Sequence, residues 1–430
     1  MKSFLKLKRF IASVCICSFT AISLSGCHIQ YVDDEESTTV ETVQETEPEK
    51  TITLRIWYSD DNMRSYLQFC AADYEHANRN VDVILTQIPE ADYVDMLTQE
   101  ALKKDTVDLY MIDNDKLEQV KLAGIARKNS MTDIYNVYNY SQKALDACTY
   151  HDELIAYPLS FDTTFLMYNA DYVEDAGFDT FEDIKTFADG YEVPAESNIN
   201  TIFSCDLDDI FYNYGYLGAY LNIGGIHGDE KTDIFDITSE LTQAISLYQQ
   251  LIEFFYINID DVNYFTCVNG FENGSIMFTV GDMAMYSRMK NVEGLNTGVL
   301  QFPDMNNEIA TAPLSITTAV VVNPFSENVT IAESFAKYLT YTNAGKLYDQ
   351  SGMPSCRIME YEDENLKQIY DSYDKSVPKL KIMYSDEFYA LLEVSMHLMA
   401  SGIDDVQSLS AVRSYLEGHW ASEETESGAE

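Results

Sequence analysis

Three candidate strands each run into a short segment that carries carboxylates, in two of the three together with an aromatic side chain. Ile52 to Trp57 leads into Tyr58, Ser59 and Asp60; Val107 to Ile112 leads into Asp113, Asn114 and Asp115; Ser275 to Val280 leads into Gly281, Asp282 and Tyr286. In an α/β sheet, the loops after the carboxyl ends of parallel strands form the natural binding crevice. A carboxylate there accepts hydrogen bonds, and an aromatic face packs on a weakly polar ring. That is the chemistry of holding a small molecule. Trp57, Tyr58, Asp60, Asp113, Asp115, Asp282 and Tyr286 are therefore candidate ligand contacts. Each also has a plain structural role open to it: Trp57 as a core residue at a strand end, Asp113 or Asp115 as the cap of the next helix.

Bond-breaking chemistry finds little support. The six histidines, at 28, 76, 151, 227, 397 and 419, form no H-E-x-x-H pair, and no G-x-S-x-G, phosphate-loop or dinucleotide fingerprint is present. With 71 acidic residues, chance carboxylate pairs are plentiful and do not argue for glycoside hydrolysis. Beyond the N-terminal segment, Cys70, Cys148, Cys205, Cys267 and Cys356 are widely spaced, with no C-x-x-C pair. An odd, scattered set suits neither a disulfide framework nor zinc. No enzyme activity, metal or cofactor is expected.

The first residues read as an export signal. Lys2, Lys6, Lys8 and Arg9 precede an apolar run from Phe10 to Ile22, which is short for a membrane span. Leu24-Ser25-Gly26-Cys27 follows and resembles the bacterial lipobox, in which the cysteine becomes the lipidated first residue of the mature chain. Residues 27–50 then form an acidic tether with few apolar side chains, expected to remain disordered. Loss of residues 1–26, which hold four basic and no acidic residues, takes the net charge from −44 to −48. Such a chain repels nucleic acid and anionic membrane surfaces. The acids are spread along the whole chain, so solubility accounts for them, although a cationic ligand is a second reading. Residues 421–430 form another acidic tail.

About 370 residues remain between the tether and the tail, more than one core usually holds. Strand and helix patterns alternate. Helical faces recur in Asn62 to Asn78 and Tyr93 to Lys103, and a third helix, Leu117 to Ala123, stops at Gly124. Val81 to Thr86 and Phe165 to Tyr168 read as strands, and Ala170 to Ala176 as a helix. Thr180 and Asp183 have the spacing of a capping box. Glu240 to Tyr256 and Thr330 to Thr340 are further helices, as are Asp386 to Met399 and Val406 to Glu417. This order implies α/β architecture with parallel strands and crossover helices.

Seven segments, in order, resemble the extracellular solute-binding proteins of the maltose- and multiple-sugar-binding type. They are Ile52–Trp57, Ala91-Asp92-Tyr93, Val107-Asp108-Leu109-Tyr110, Glu153–Pro158, Leu166-Met167-Tyr168-Asn169, Phe271–Met277 and Gly352-Met353-Pro354-Ser355. The resemblance implies a two-lobe periplasmic-binding-protein-like fold of type II, with the ligand cleft between the lobes. It sets expected boundaries: lobe one from 51–160 plus 294–340, lobe two from 161–293 plus 341–420. The crossings would lie at Phe161 to Thr164, near Gly294, and around Thr340 to Gly345. Asp162 would then sit at the first crossing. Asn222, Gly224 and Gly225 resemble a loop that borders the ligand in the family. The implied function is a monomeric binding lipoprotein on the outer face of the membrane. It would capture a carbohydrate, in particular an oligosaccharide, and deliver it to the permease of an ABC importer. Maltodextrin-type members carry tryptophans where this chain has Asp282, Met283 and Met285, which argues against maltodextrin itself. The alternative is a polyamine or other cationic solute held by Asp113, Asp115, Asp162 and Asp282.

Overall fold

The computed structural model describes residues 52–427, except 102, 104–105, 174–176 and 404–405, and leaves aside the side chains of 101 and 421–427. The proposed signal, Cys27 and the tether lie outside the described residues. The described residues form twelve strands: β1 Ile52–Tyr58, β2 Val81–Gln87, β3 Leu109–Asp113, β4 Thr149–Tyr150, β5 Glu153–Leu154, β6 Tyr157–Thr163, β7 Phe165–Asn169, β8 Thr201–Phe203, β9 Ile276–Gly281, β10 Thr297–Leu300, β11 Leu314–Val322 and β12 Val377–Pro378. The α-helices are α1 Arg64–Ala77, α2 Tyr93–Ala101, α3 Leu117–Leu122, α4 Gln142–Ala147, α5 Phe181–Gly190, α6 Ile210–Asn213, α7 Ser239–Phe254, α8 Tyr264–Glu272, α9 Met283–Met289, α10 Val329–Lys337, α11 Leu347–Ser351, α12 Glu364–Lys375, α13 Ser385–Ala400 and α14 Gln407–Ser427.

Two lobes result, each built on its own sheet. The larger sheet runs β12-β11-β3-β1-β2, with β6 also paired to β11. β1 is parallel to β2 and β3, whereas β11 runs antiparallel to both β3 and β6. The smaller sheet runs β10-β7-β9-β8. Local sequence explains these elements. Leu54, Ile56 and Tyr58 alternate along β1 and are buried, as period-two patterning requires. Tyr66, Leu67, Cys70, Ala71 and Tyr74 repeat at helical spacing on α1 and form its buried face. Thr180 and Asp183 make the reciprocal capping box that starts α5. Gly124, at φ +72°, takes the left-handed turn that ends α3. All five cysteines of the globular part are buried and free. Among the described residues, no helix is long and apolar enough to cross a membrane.

The chain passes from the large sheet to the small one at Thr164, between β6 and β7. It returns between Leu300 and Leu314, and leaves again after β12, over residues 379–384. The second passage is not near Gly294. That glycine, at φ +83°, only turns the chain into β10 within the small lobe. The third is not at 340–345 either. Helical structure continues past α10 through Thr342, and Leu339 and Leu347 are buried in the core shared with Leu67 and Cys70 of α1. Tyr66 fixes this segment by donating its hydroxyl to the Leu339 carbonyl. Apolar periodicity therefore holds 338–351 to the large lobe. Two smaller expectations also differ. Residues 170–172 form a turn rather than the start of a helix, with the Asp171 N–H bonded back to the Asn169 side chain. At the C-terminal end, α14 runs on to Ser427 through alanine and glutamates, which favour helix.

Candidate functional site

β11 lies between β3 and β6, and its pairing sets the spacing of two carboxylates. Thr318 pairs with Asp113 and Ile316 with Asp162, so the two aspartates sit on flanking strands, two residues apart along β11. The Thr318 hydroxyl donates to Asp113 at 2.7 Å. Burial, then the nearby Asp115, push Asp113 up to about 6 despite that hydrogen bond. Asp113 also lines a cavity of about 160 Å³ with Ser59, Asp60, Glu90, Tyr93, Lys116 and Thr318. The Tyr93 hydroxyl is buried there.

The loop after β3 is locked in place. The Asn114 side chain accepts from the Thr317 N–H at 2.8 Å and donates to the Lys379 carbonyl at 2.6 Å. That second bond ties the loop to the third crossing. Asp115 is 8% exposed, and its Oδ2 lies 2.8 Å from Lys379 Nζ and 3.5 Å from Lys116 Nζ. Asp386 on α13 lies 3.0 Å from Lys116 and 3.4 Å from Lys379. Two lysines and two aspartates thus close a ring. Burial opposes the charge on both lysines, yet their aspartate neighbours hold each above the ordinary lysine value. Burial pushes Asp386 the other way, upward, yet Lys116 and Lys379 hold it below the usual carboxylate range. Asp115 Oδ1 is buried and has no hydrogen-bond partner among the described residues.

The second carboxylate group lies where the lobes join. Asp162 Oδ1 accepts from the N–H groups of Thr163 at 2.8 Å and Met283 at 3.1 Å. Asp282 caps α9, accepting from the Met285 N–H at 2.8 Å, and its Oδ2 accepts from the Tyr212 hydroxyl at 2.9 Å. Burial, then repulsion by Asp282, drive Asp162 well above the usual carboxylate range. Burial drives Asp282 upward too, against its hydrogen bonds. Tyr264 is pushed up to about 12 by burial, then by Asp282 and Asp162, and its ring centroid is 5.5 Å from that of Tyr212. A pair of tyrosines therefore borders a pair of carboxylates.

Four of the candidate contacts, Asp113, Asp115, Asp162 and Asp282, come together here, and Asp60 joins Asp113 at the smaller cavity. Other candidates do not. Tyr58 is 5% exposed, turned into the large-lobe core with Leu54 and Ile56. Trp57 is half-buried against the apolar cluster that includes Tyr93 and Leu97. Tyr286 is 2% exposed; it packs edge-on to Phe165 and donates to Asp363 at 3.3 Å. Asn222 lines a different cavity, of about 650 Å³, with Lys143, Asp146, His227, Glu230 and Asp233. Tyr212, Tyr264 and Lys379 carry roles that the sequence reading did not assign. Tyr212 lies in the segment after β8, which is parallel to β9, so the rule of strand ends applies to it.

Comparison with known proteins identifies the family. Residues 70–356 match the family described as bacterial extracellular solute-binding protein. The maltodextrin-binding protein MdxE of Bacillus subtilis is 20% identical over 413 residues, covering 91% of this chain and 92% of that protein. An extracellular solute-binding protein from Staphylococcus aureus, solved in complex with maltose, superposes with a TM-score of 0.74 at 16% identity, covering 85% of this chain and 97% of that one. The maltose-binding protein MalE from Listeria monocytogenes, also with maltose, gives 0.73 at 20% identity, covering 86% and 98%.

Proposed function

The chain belongs to the family of bacterial extracellular solute-binding proteins, and we propose that its own solute is a neutral carbohydrate, in particular an oligosaccharide, captured between the lobes and delivered to the permease of an ABC importer. The observation that carries this reading is the set of buried carboxylates: Asp162 and Asp282 beside Tyr212 and Tyr264, and, in the loop after β3, Asp115, whose Oδ1 has no hydrogen-bond partner among the described residues. A sugar hydroxyl supplies that donor without bringing charge, and the tyrosine rings offer faces for a pyranose. The sugars named for the solved relatives support the same class: maltose, maltotetraose and maltotriose.

A cationic solute such as a polyamine is the second reading. It is favoured by Asp162 and Asp282, for which the described residues provide no lysine or arginine at ion-pair distance. Titration calorimetry at low and high salt separates the two. A neutral sugar binds with little salt dependence, whereas polyamine binding weakens steeply as Coulomb attraction is screened. Binding of spermidine alone, collapsing at high salt, rejects the carbohydrate assignment. The protein is further proposed to work as a monomer held to the membrane by lipid on Cys27. Cys27→Ala should move it from the membrane fraction to the soluble one, and retention through a high-salt wash rejects that anchor.

A further inference from the structure

We infer that Lys379 is a positioning residue that sets the charge preference of the cleft, because it closes the ring Asp115–Lys379–Asp386–Lys116 and presents Asp115 with one oxygen engaged and the other free. The inference rests on the reading of the interlobe region as the ligand site. Three features support it. First, the ring balances: two carboxylates and two ammonium groups, with the four ion pairs between 2.8 and 3.5 Å. In a chain with 71 acidic and 27 basic residues, an acidic cluster formed by composition alone would lack such compensation. Second, Lys379 engages only Oδ2 of Asp115, and Oδ1 is left buried and unpartnered. A buried acceptor without a donor is costly, so the site is prepared for a hydrogen-bond donor from outside the protein. Third, the ring draws on three parts of the fold. Asp115 and Lys116 follow β3 of the large lobe, Lys379 lies in the third crossing, and Asp386 is on α13, which packs on α6 and α7 of the small lobe.

The consequence is selectivity. With Lys379 and Lys116 in place, an ammonium group approaching Asp115 meets two cations at a carboxylate already neutralised. A hydroxyl meets a fixed acceptor. Asp115 therefore favours a neutral donor, while Lys379 itself need not touch the ligand.

The test compares wild type with Lys379→Met, Lys379→Arg and Asp386→Asn, using maltotetraose and spermidine as probes. Lys379→Met should weaken maltotetraose by about tenfold or more and strengthen spermidine, with the new spermidine binding falling as salt rises. Lys379→Arg should restore the wild-type ratio. Asp386→Asn, whose side chain is 61% exposed in the native ring, should fold normally and shift the ratio the opposite way by less, because both lysines then bear on Asp115 alone and repel an ammonium group more strongly. An unchanged ratio in Lys379→Met overturns the inference. A ligand-free readout keeps it separate from the carbohydrate reading. Lys379 holds Asp113 down, against burial and Asp115, so carboxyl NMR titration of Asp113 should move upward from about 6 in Lys379→Met and return in Lys379→Arg. If neither probe binds wild type, the ligand reading fails while this titration still decides the ring. No movement of Asp113 rejects the role of Lys379 in either case.

Discussion

The ring at Asp115 and the pair Asp162–Asp282 use the same residue type within one region, yet they are opposite electrostatic designs. The ring satisfies its carboxylates with ammonium groups, and Asp386 is held below the usual range. The pair satisfies its carboxylates with neutral donors only: backbone N–H groups of Thr163, Met283 and Met285 and the hydroxyl of Tyr212. Its aspartates are pushed up by burial, and Asp162 also by the charge of Asp282. The lesson is that an aspartate in a cleft does not define its own chemistry. Its counter-groups decide whether it acts as a fixed anion or as a weak acid. The two designs also respond to pH with opposite sign. A lowered folded pKa gives stability that is present above the ordinary carboxylate value and lost as pH falls through the folded one. A raised one gives stability that is present in acid and lost as pH rises from the ordinary value through the folded one.

The largest effect should come from breaking the ring. Asp115→Ala removes the free acceptor and leaves Lys116 and Lys379 facing each other with only Asp386 to compensate. Maltotetraose affinity should fall about a hundredfold, and unfolding free energy by about 1–3 kcal/mol. Calorimetry and urea denaturation measure the two. Loss of binding without loss of stability would mean that the lysines find other partners and that the ring is not a structural unit.

The pair should behave in the opposite way. Asp162→Asn resembles the protonated form that burial already favours, so at neutral pH it should stabilise the protein, by about 1 kcal/mol and a few degrees in Tm. Wild type should lose stability as pH rises above the ordinary carboxylate value, and the variant should show a flatter profile. Thermal melts between pH 4 and 8 check this. A variant that is less stable at every pH would show that the charged form of Asp162 is the one the fold needs.

Much of this comparison could be read in the sequence, and some could not. Asp113, Asp115 and Asp282 follow strands long enough to recognise, so the strand-end rule finds them. Tyr212 escaped because its strand, β8, is only Thr201–Phe203, too short for alternation to stand out. Tyr58 was open to correction from the pattern itself. It shares the alternating face of β1 with Leu54 and Ile56, and that face is the core. Tyr286 is a similar case on a helix: it lies on the face of α9 that carries Met283 and Met289, all three buried. The ring left no local signal. Lys379 and Asp386 meet Asp115 and Lys116 from more than 260 residues away, through a crossing whose position depends on where apolar periodicity stops holding residues 338–351 to the large lobe.

The smallest effect separates the two designs most finely, because Asp113 stands between them. It is raised to about 6 by burial and by Asp115, and the Thr318 hydroxyl opposes that rise by donating to the carboxylate. Asp113 pairs with Thr318 on β11 while Asp162 pairs two residues along, so the same strand serves both regions. Thr318→Val keeps the shape and removes the donor. The Asp113 midpoint should then move above 6, and the pH at which maltotetraose affinity changes should move with it. Below that midpoint Asp113 carries a proton and offers a donor where it had offered an acceptor. Stability should change by under about 1 kcal/mol, one neutral hydrogen bond. Its sign follows that of the pair: the contribution present in acid is lost from the ordinary carboxylate value up through the new midpoint. Carboxyl NMR titration beside calorimetry at several pH values makes the measurement. A midpoint that rises without any change in the affinity profile would place Asp113 outside the ligand's reach and leave Asp115 to act alone in the large lobe.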